Sequence, residues 1–167
     1  EAHYKVAQVH MKSGSWAAAF QELLRTVDLQ PDNWQAQIDL GQLLLLGGRR
    51  EEARDRAQLI LKDNPGNAQA EALLSNAELA LGNSKEAEVA AREAVKLAPD
   101  KPFSYLNLGQ LLARMNHNPE AEENFKRGLS LDPKSMQAHM LLASFYQQQK
   151  RWKDAESEMQ AAIQLAP

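Results

Sequence analysis

Residues 102–135 read PFSYLNLGQLLARMNHNPEAEENFKRGLSLDPKS, and this stretch decides how the chain is built. Two helical patterns, predicted over 102–115 and 119–131, flank a short polar break at Asn116–His117–Asn118. Asn116 is of the type that tolerates the left-handed conformation ending a helix, and Asn118 can cap the helix that follows. Pro119 falls in a first turn, where its missing donor does no harm. The Leu108–Gly109 pair, Ala121 and Pro133 are the other landmarks.

Shifted by 34 residues in either direction, the same landmarks return. Prolines stand at Pro31, Pro65, Pro99, Pro133 and Pro167, and alanines at Ala19, Ala53, Ala87, Ala121 and Ala155. An aliphatic column runs through Val6, Leu40, Leu74, Leu108 and Leu142, each followed by a small residue: Ala7, Gly41, Ser75, Gly109 and Ala143. Two helices approach to about 8–10 Å only where the crossing residues are small, so the small column and the alanine column together imply a tight hairpin in every unit. The break is marked by Gly14, Gly48, Gly82 and Asn116, with Lys150 departing from the pattern. Asn33, Asn67 and Ser135 sit where a side-chain oxygen caps a first helix, and Ser84 and Asn118 where one would cap a second. The remaining helices are predicted at about 2–13, 17–29, 34–47, 51–63, 68–81, 85–97, 136–149 and 153–165.

This 34-residue pattern resembles the tetratricopeptide repeat. The resemblance covers the whole chain as segments 1–33, 34–67, 68–101, 102–135 and 136–167. It implies an all-α fold, a right-handed α-solenoid or superhelix of five helix-turn-helix hairpins with a concave groove. Each hairpin buries its apolar face only against the next. Because the chain opens on Glu1 already in helical pattern and stops in register at Pro167, it reads as a fragment of a longer array. Its final helix presents Ala155, Met159, Ala162 and Ile163 on one face, an expected site of self-association or of burial in a longer protein.

Composition narrows the function. Of 167 residues, 44% are hydrophobic and 25% charged, as a packed, water-soluble fold requires. The net charge of −3, with both signs interspersed, offers no basic face for nucleic acid or anionic lipid. The longest purely aliphatic run, Leu43–Leu46, is far short of a membrane span. With no cysteine, thiol catalysis, disulfides and thiolate metal sites are excluded, while cytoplasmic and bacterial periplasmic settings both stay open.

If each unit is numbered so that its proline is position 32, the resemblance implies that groove residues stand at positions 2, 5, 9 and 12 of the first helices. Position 9 is then Gln8, Gln42, Asn76, Gln110 and Ser144. Such a column reads in two ways: as an amide ladder that grips an extended peptide backbone through paired donors and acceptors, or as a solvated stripe. Positions 5 and 12 supply Tyr4, Met11, Ile38, Leu45, Leu79, Leu106 and Met140 as an expected apolar floor, each of which packing could claim instead. Phe103 at position 2 adds an aromatic anchor. Some relatives clamp a terminal carboxylate with Lys and Asn, but here Tyr4 and Gln8 stand where that clamp begins, so an apolar or mixed peptide is favoured.

No catalytic residue, cofactor or metal is expected. His3 and His10 are seven residues apart, too far for an i, i+4 chelate, and are expected to pack. Glu71 and Glu78 share a helix face and could serve acid-base chemistry, but ion pairing with Arg54, Arg56 or Arg92 explains them more simply. The eight glycines form no phosphate loop. The expected function is therefore a non-catalytic scaffold for a partner protein or peptide, similar to bacterial arrays of envelope, pilus or exopolysaccharide assembly. The alternative is the substrate-recruiting array of a larger enzyme such as a glycosyltransferase.

Overall fold

The computed structural model describes residues 1–165, so Pro167, the fifth proline of the column, lies outside the described residues. These contain ten α-helices: α1 (Ala2–Lys12), α2 (Trp16–Leu29), α3 (Trp34–Leu46), α4 (Arg50–Asp63), α5 (Ala68–Leu81), α6 (Ser84–Leu97), α7 (Pro102–Arg114), α8 (Asn118–Leu131), α9 (Met136–Gln148) and α10 (Trp152–Gln164). Within hairpins α1 packs on α2, α3 on α4, α7 on α8 and α9 on α10.

The first helices begin where their caps predict. The side-chain oxygen of Asn33 accepts from the amide of Ala36, that of Asn67 from Gln69 and Ala70, and that of Ser135 from Ala138. The second helices begin one residue earlier than predicted, which overturns two expected caps. Ser84 and Asn118 are the first helical residues of α6 and α8, and the Asn118 amide donates to Gln149 Oε1 at 3.1 Å.

Backbone, not side chain, organises these tight turns. In each hairpin an amide reaches back five residues, from Ser15 to His10, Arg49 to Leu44, Asn83 to Glu78, His117 to Leu112 and Arg151 to Tyr146, at 2.8–2.9 Å. This closure requires a left-handed residue just before the donor. Gly14, Gly48, Gly82, Asn116 and Lys150 all adopt it, with φ between 59° and 89°. Lys150 therefore keeps the turn that its side chain disfavours. Lys150→Gly should stabilise the last hairpin by about 1 kcal/mol, the left-handed penalty less the extra chain entropy of glycine. Urea unfolding checks this, and a loss of stability would contradict it.

The chain divides into two compact units, Glu1–Ala87 and Glu88 onward, the division falling within α6. In the first unit, Leu23 and Val27 of α2 share a buried cluster with Ala36, Leu40, Leu43 and Leu44 of α3. Ile38, Ile60 and Ala70 form a second cluster, flanked by Trp34 and Leu61. In the second unit the Phe125 and Phe145 rings lie 5.4 Å apart, joining α8 to α9. All five residues of the alanine column and all five of the small column are buried. A Cβ added to Gly109 would stand 3.0–3.2 Å from the Phe125 ring, so the small residue is a condition of this packing.

Polar bonds staple the hairpins across the helix pair. His3 Nδ1 meets Glu22 Oε2 at 2.5 Å and His139 Nδ1 meets Glu158 Oε2 at 2.7 Å, while Arg56 donates to Gln37 Oε1 at 2.8 Å. His3, expected only to pack, is thus a bonding partner. All three pairs are 19 residues apart, one position of the first helix facing one position of the second.

Between α8 and the α9–α10 turn, Glu122 accepts from Lys126 at 2.8 Å, Arg151 at 2.6 Å and Tyr146 Oη at 3.0 Å. Burial alone would raise the Glu122 carboxyl, yet these three donors hold it down to about 2. A carboxyl depressed by folding contributes stability that is present above its unfolded value and lost as pH falls through the folded one. The second unit should therefore lose on the order of 1 kcal/mol between about pH 4.5 and 2, after discounting for solvent screening. Glu122→Gln should abolish that step, as acid titration followed by circular dichroism would show.

Candidate functional site

The position-9 column is exposed in every hairpin. Gln8, Gln42 and Asn76 lie on α1, α3 and α5 of the first unit, and Gln110 and Ser144 on α7 and α9 of the second. Within the first unit α3 packs directly on α5, and within the second α7 packs on α9, so successive members of the column stand on neighbouring helices. The residue just N-terminal to each member, in the small column, is buried. Close helix approach and the polar column are therefore adjacent consequences of one pattern.

The expected floor divides. Ile38 and Leu106 are core residues, 2% and 7% exposed, and cannot contact a partner. Ile38 belongs to the cluster with Ile60 and Ala70. Leu106 fills the space left by Gly128, where an added Cβ would come within 2.8 Å of Leu106 Cδ2. Met11, Leu45, Leu79 and Phe103 are half-buried, their outer edges still open to solvent, and Met140 is exposed.

Tyr4 is half-buried and committed. Its hydroxyl donates to Asp39 Oδ2 at 2.9 Å, and Gln35 donates to Asp39 Oδ1 at 3.0 Å, tying α1 to α3. Desolvation and the Asp39 carboxylate push the Tyr4 phenol up to about 12, so it stays a neutral donor, with Gln8 bonded to the same hydroxyl. The start of the amide column is thus braced by a Tyr–Asp–Gln bridge.

One residue escaped sequence reasoning. Leu46 is exposed one turn beyond Gln42 on α3. Its signal was a lone leucine at position 13, where the other units carry Lys12, Ala80, Arg114 and Gln148.

Glu78 departs from the expected ion pairing. Glu78 is buried and accepts from Asn83 Nδ2 at 2.7 Å, while Glu71 is half-buried. Arg54 pairs with Asp55, Arg56 bonds Gln37, and Arg92 pairs with Glu88 and Glu120. Glu78 is thus held by an amide rather than a guanidinium. Among the described residues no three His, Asp or Glu side chains are grouped to hold a metal, and no helix is long and apolar enough to cross a membrane.

Comparison with known proteins places this geometry. Models described as tetratricopeptide repeat match residues 10–77, 68–101 and 106–167. A thermophilic tetratricopeptide protein of Thermus thermophilus superposes with a TM-score of 0.92 at 20% identity, covering 99% of this chain and 91% of that one. YrrB, described as a tetratricopeptide protein with an unusual peptide-binding site, gives 0.61 at 19% identity over 99% of this chain and 85% of its own. These likenesses show the fold, an all-α helical-repeat solenoid.

Among curated proteins, rat (Rattus norvegicus) DnaJ homolog subfamily C member 3 is 39% identical over 72 residues, 42% of this chain and 14% of its own length. Mouse (Mus musculus) protein O-mannosyl-transferase TMTC1 is 30% identical over 145 residues, 84% of this chain and 15% of its own length. This chain therefore spans only about one seventh of the length of these relatives. Repeat columns, hairpin geometry and matches from residue 10 to the C-terminus agree that the chain belongs to the tetratricopeptide repeat family.

Proposed function

We propose that this chain is a non-catalytic scaffold that holds a protein or extended peptide on the exposed faces of its first helices. The observation that carries the reading is the position-9 column, an amide in four hairpins and serine in the fifth, exposed in all five. An amide side chain both donates and accepts, so it can match the alternating groups of an extended backbone whatever its sequence. Met11, Leu45, Leu79 and Leu46 add apolar surface beside it, which favours a peptide with apolar or mixed side chains. The peptide-binding site for which YrrB is described lends support by fold.

Two settings suit such a scaffold: bacterial envelope, pilus or exopolysaccharide assembly, and the recruiting array of a larger enzyme. The likeness to the O-mannosyl-transferase, 30% over 84% of this chain, favours the second. In that setting the chemistry belongs to another part of the parent protein.

The test is affinity capture with the immobilised chain and with a Gln8→Ala, Gln42→Ala, Gln110→Ala triple variant of unchanged circular dichroism. Partners recovered by the first should be weakened at least about tenfold by the second, a loss of roughly 1.4 kcal/mol. Undiminished capture would move the site elsewhere.

A further inference from the structure

We propose that the second unit carries a further binding site, a cleft lined from α6, α7 and α8 in which Arg127 receives an acidic side chain of a partner peptide. The site lies apart from the amide column.

The cleft stands where a staple is missing. Positions 4 and 23 are joined by a side-chain bond in three hairpins, through His3 and Glu22, Gln37 and Arg56, and His139 and Glu158. In the fourth hairpin the same positions hold Tyr105 and Asn124. Asn124 Nδ2 turns to its own helix and donates to the Glu120 carbonyl at 2.8 Å, while the Tyr105 ring carries the Arg127 guanidinium 5.8 Å from its centroid. Both positions line an open cleft of about 660 Å³. Buried Leu108 and half-buried Val95 give it an apolar depth, and exposed Arg92, Arg127, Glu120 and Glu123 form its rim.

Its cations are not equally available. Arg92 is held by Glu88 and Glu120 at 2.7 and 3.0 Å, and Lys126 by Glu122 at 2.8 Å. Among the described residues Arg127 is in no ion pair, although Glu123 precedes it by one turn of α8; its guanidinium lies on the Tyr105 ring instead. A guanidinium laid on an aromatic ring keeps its N–H edges free, and their planar fork matches a carboxylate. One uncommitted guanidinium suits a single negative charge. Glu120, Glu122 and Glu123 around it oppose the higher charge of a phosphate, which favours a peptide carboxylate. The Tyr105 ring, Val95 and Leu108 beside it suit an apolar residue next to the acidic one.

This site and the amide column use different faces of α7. Gln110 is five residues beyond Tyr105, which turns it away by about 140° around the helix. The two sites can therefore be tested separately.

The experiment passes the labelled 167-residue chain over immobilised, end-capped hexapeptides in three matched sets, with Glu, Gln or Lys placed beside Leu or Phe. The Glu set should be retained about tenfold better than the Gln set, the effect of one charged bidentate contact. Arg127→Ala should erase that difference and Arg127→Lys should restore only part of it, each with unchanged circular dichroism. Glu123→Gln should strengthen retention of the Glu set by removing the opposing charge. The Gln8→Ala, Gln42→Ala, Gln110→Ala triple variant should bind the Glu set undiminished, which separates this site from the amide column. Equal retention of the Glu and Gln sets, or discrimination that survives Arg127→Ala, would overturn the proposal. So would a preference for the Lys set that is lost in Glu123→Gln, the mark of a cation site, or loss of the Glu set in the triple variant.

Discussion

Leu23→Ala should destabilise the first unit by about 3 kcal/mol, while Met159→Ala should cost less than about 1 kcal/mol. Both residues occupy position 24 of a second helix, yet Leu23 is fully buried against α3 and Met159 is exposed on α10. Deleting Leu23 loses its transfer free energy and leaves a cavity, because the surrounding Leu40, Leu43 and Leu44 are held by their own hairpin and relax only partly. In a linear array each hairpin depends on its nearest neighbours, so the loss should be local. Hydrogen exchange should accelerate over α1–α3 and stay unchanged over α9–α10; uniform acceleration would contradict the repeat account.

The second large effect is expected at Gly128. An added Cβ would lie 2.8 Å from Leu106 Cδ2, 2.9 Å from Leu106 Cγ and 3.2 Å from the Pro102 carbonyl oxygen. A flexible side chain could swing away from one such contact, but the carbonyl belongs to the first turn of α7 and cannot move without shifting the helix. Gly128→Val should therefore cost about 3 kcal/mol, the upper end of the overpacking range, despite the better helix propensity of a residue with a side chain. Urea unfolding with a probe in the second unit would measure it. A neutral result would mean that α7 and α8 are not in the close contact described.

These two sites also show what a sequence makes legible. The helices were readable to within a residue or two because the repeat supplies several copies of each signal, and Asn33, Asn67 and Ser135 cap where their chemistry says they should. Ser84 and Asn118 misled because the turn is closed by its backbone, leaving their side chains without a capping role. Lys150 broke the glycine column without breaking the turn, since the packing of α9 on α10 and the backbone bond from Arg151 to Tyr146 outweigh its local preference.

The site was less legible than the fold. Position 9 could be followed as a polar column, but position 5 mixes the half-buried Tyr4, the buried Ile38 and Leu106 and the exposed Met140. Periodicity places all four on one stripe; whether that stripe is covered depends on partners elsewhere, such as the missing side chain at Gly128. The bridge from Tyr4 to Asp39 joins residues of different repeats, which a pattern within one repeat cannot reveal.

The scaffold reading rests on the amide column, and its side-chain NH2 groups can be watched directly. In a two-dimensional nitrogen–proton spectrum of the labelled chain, addition of a captured partner should shift the side-chain amide signals of Gln8, Gln42, Asn76 and Gln110 first and most. Shifts confined to second-helix residues such as Glu51 and Leu59, with the amide signals unmoved, would contradict the account.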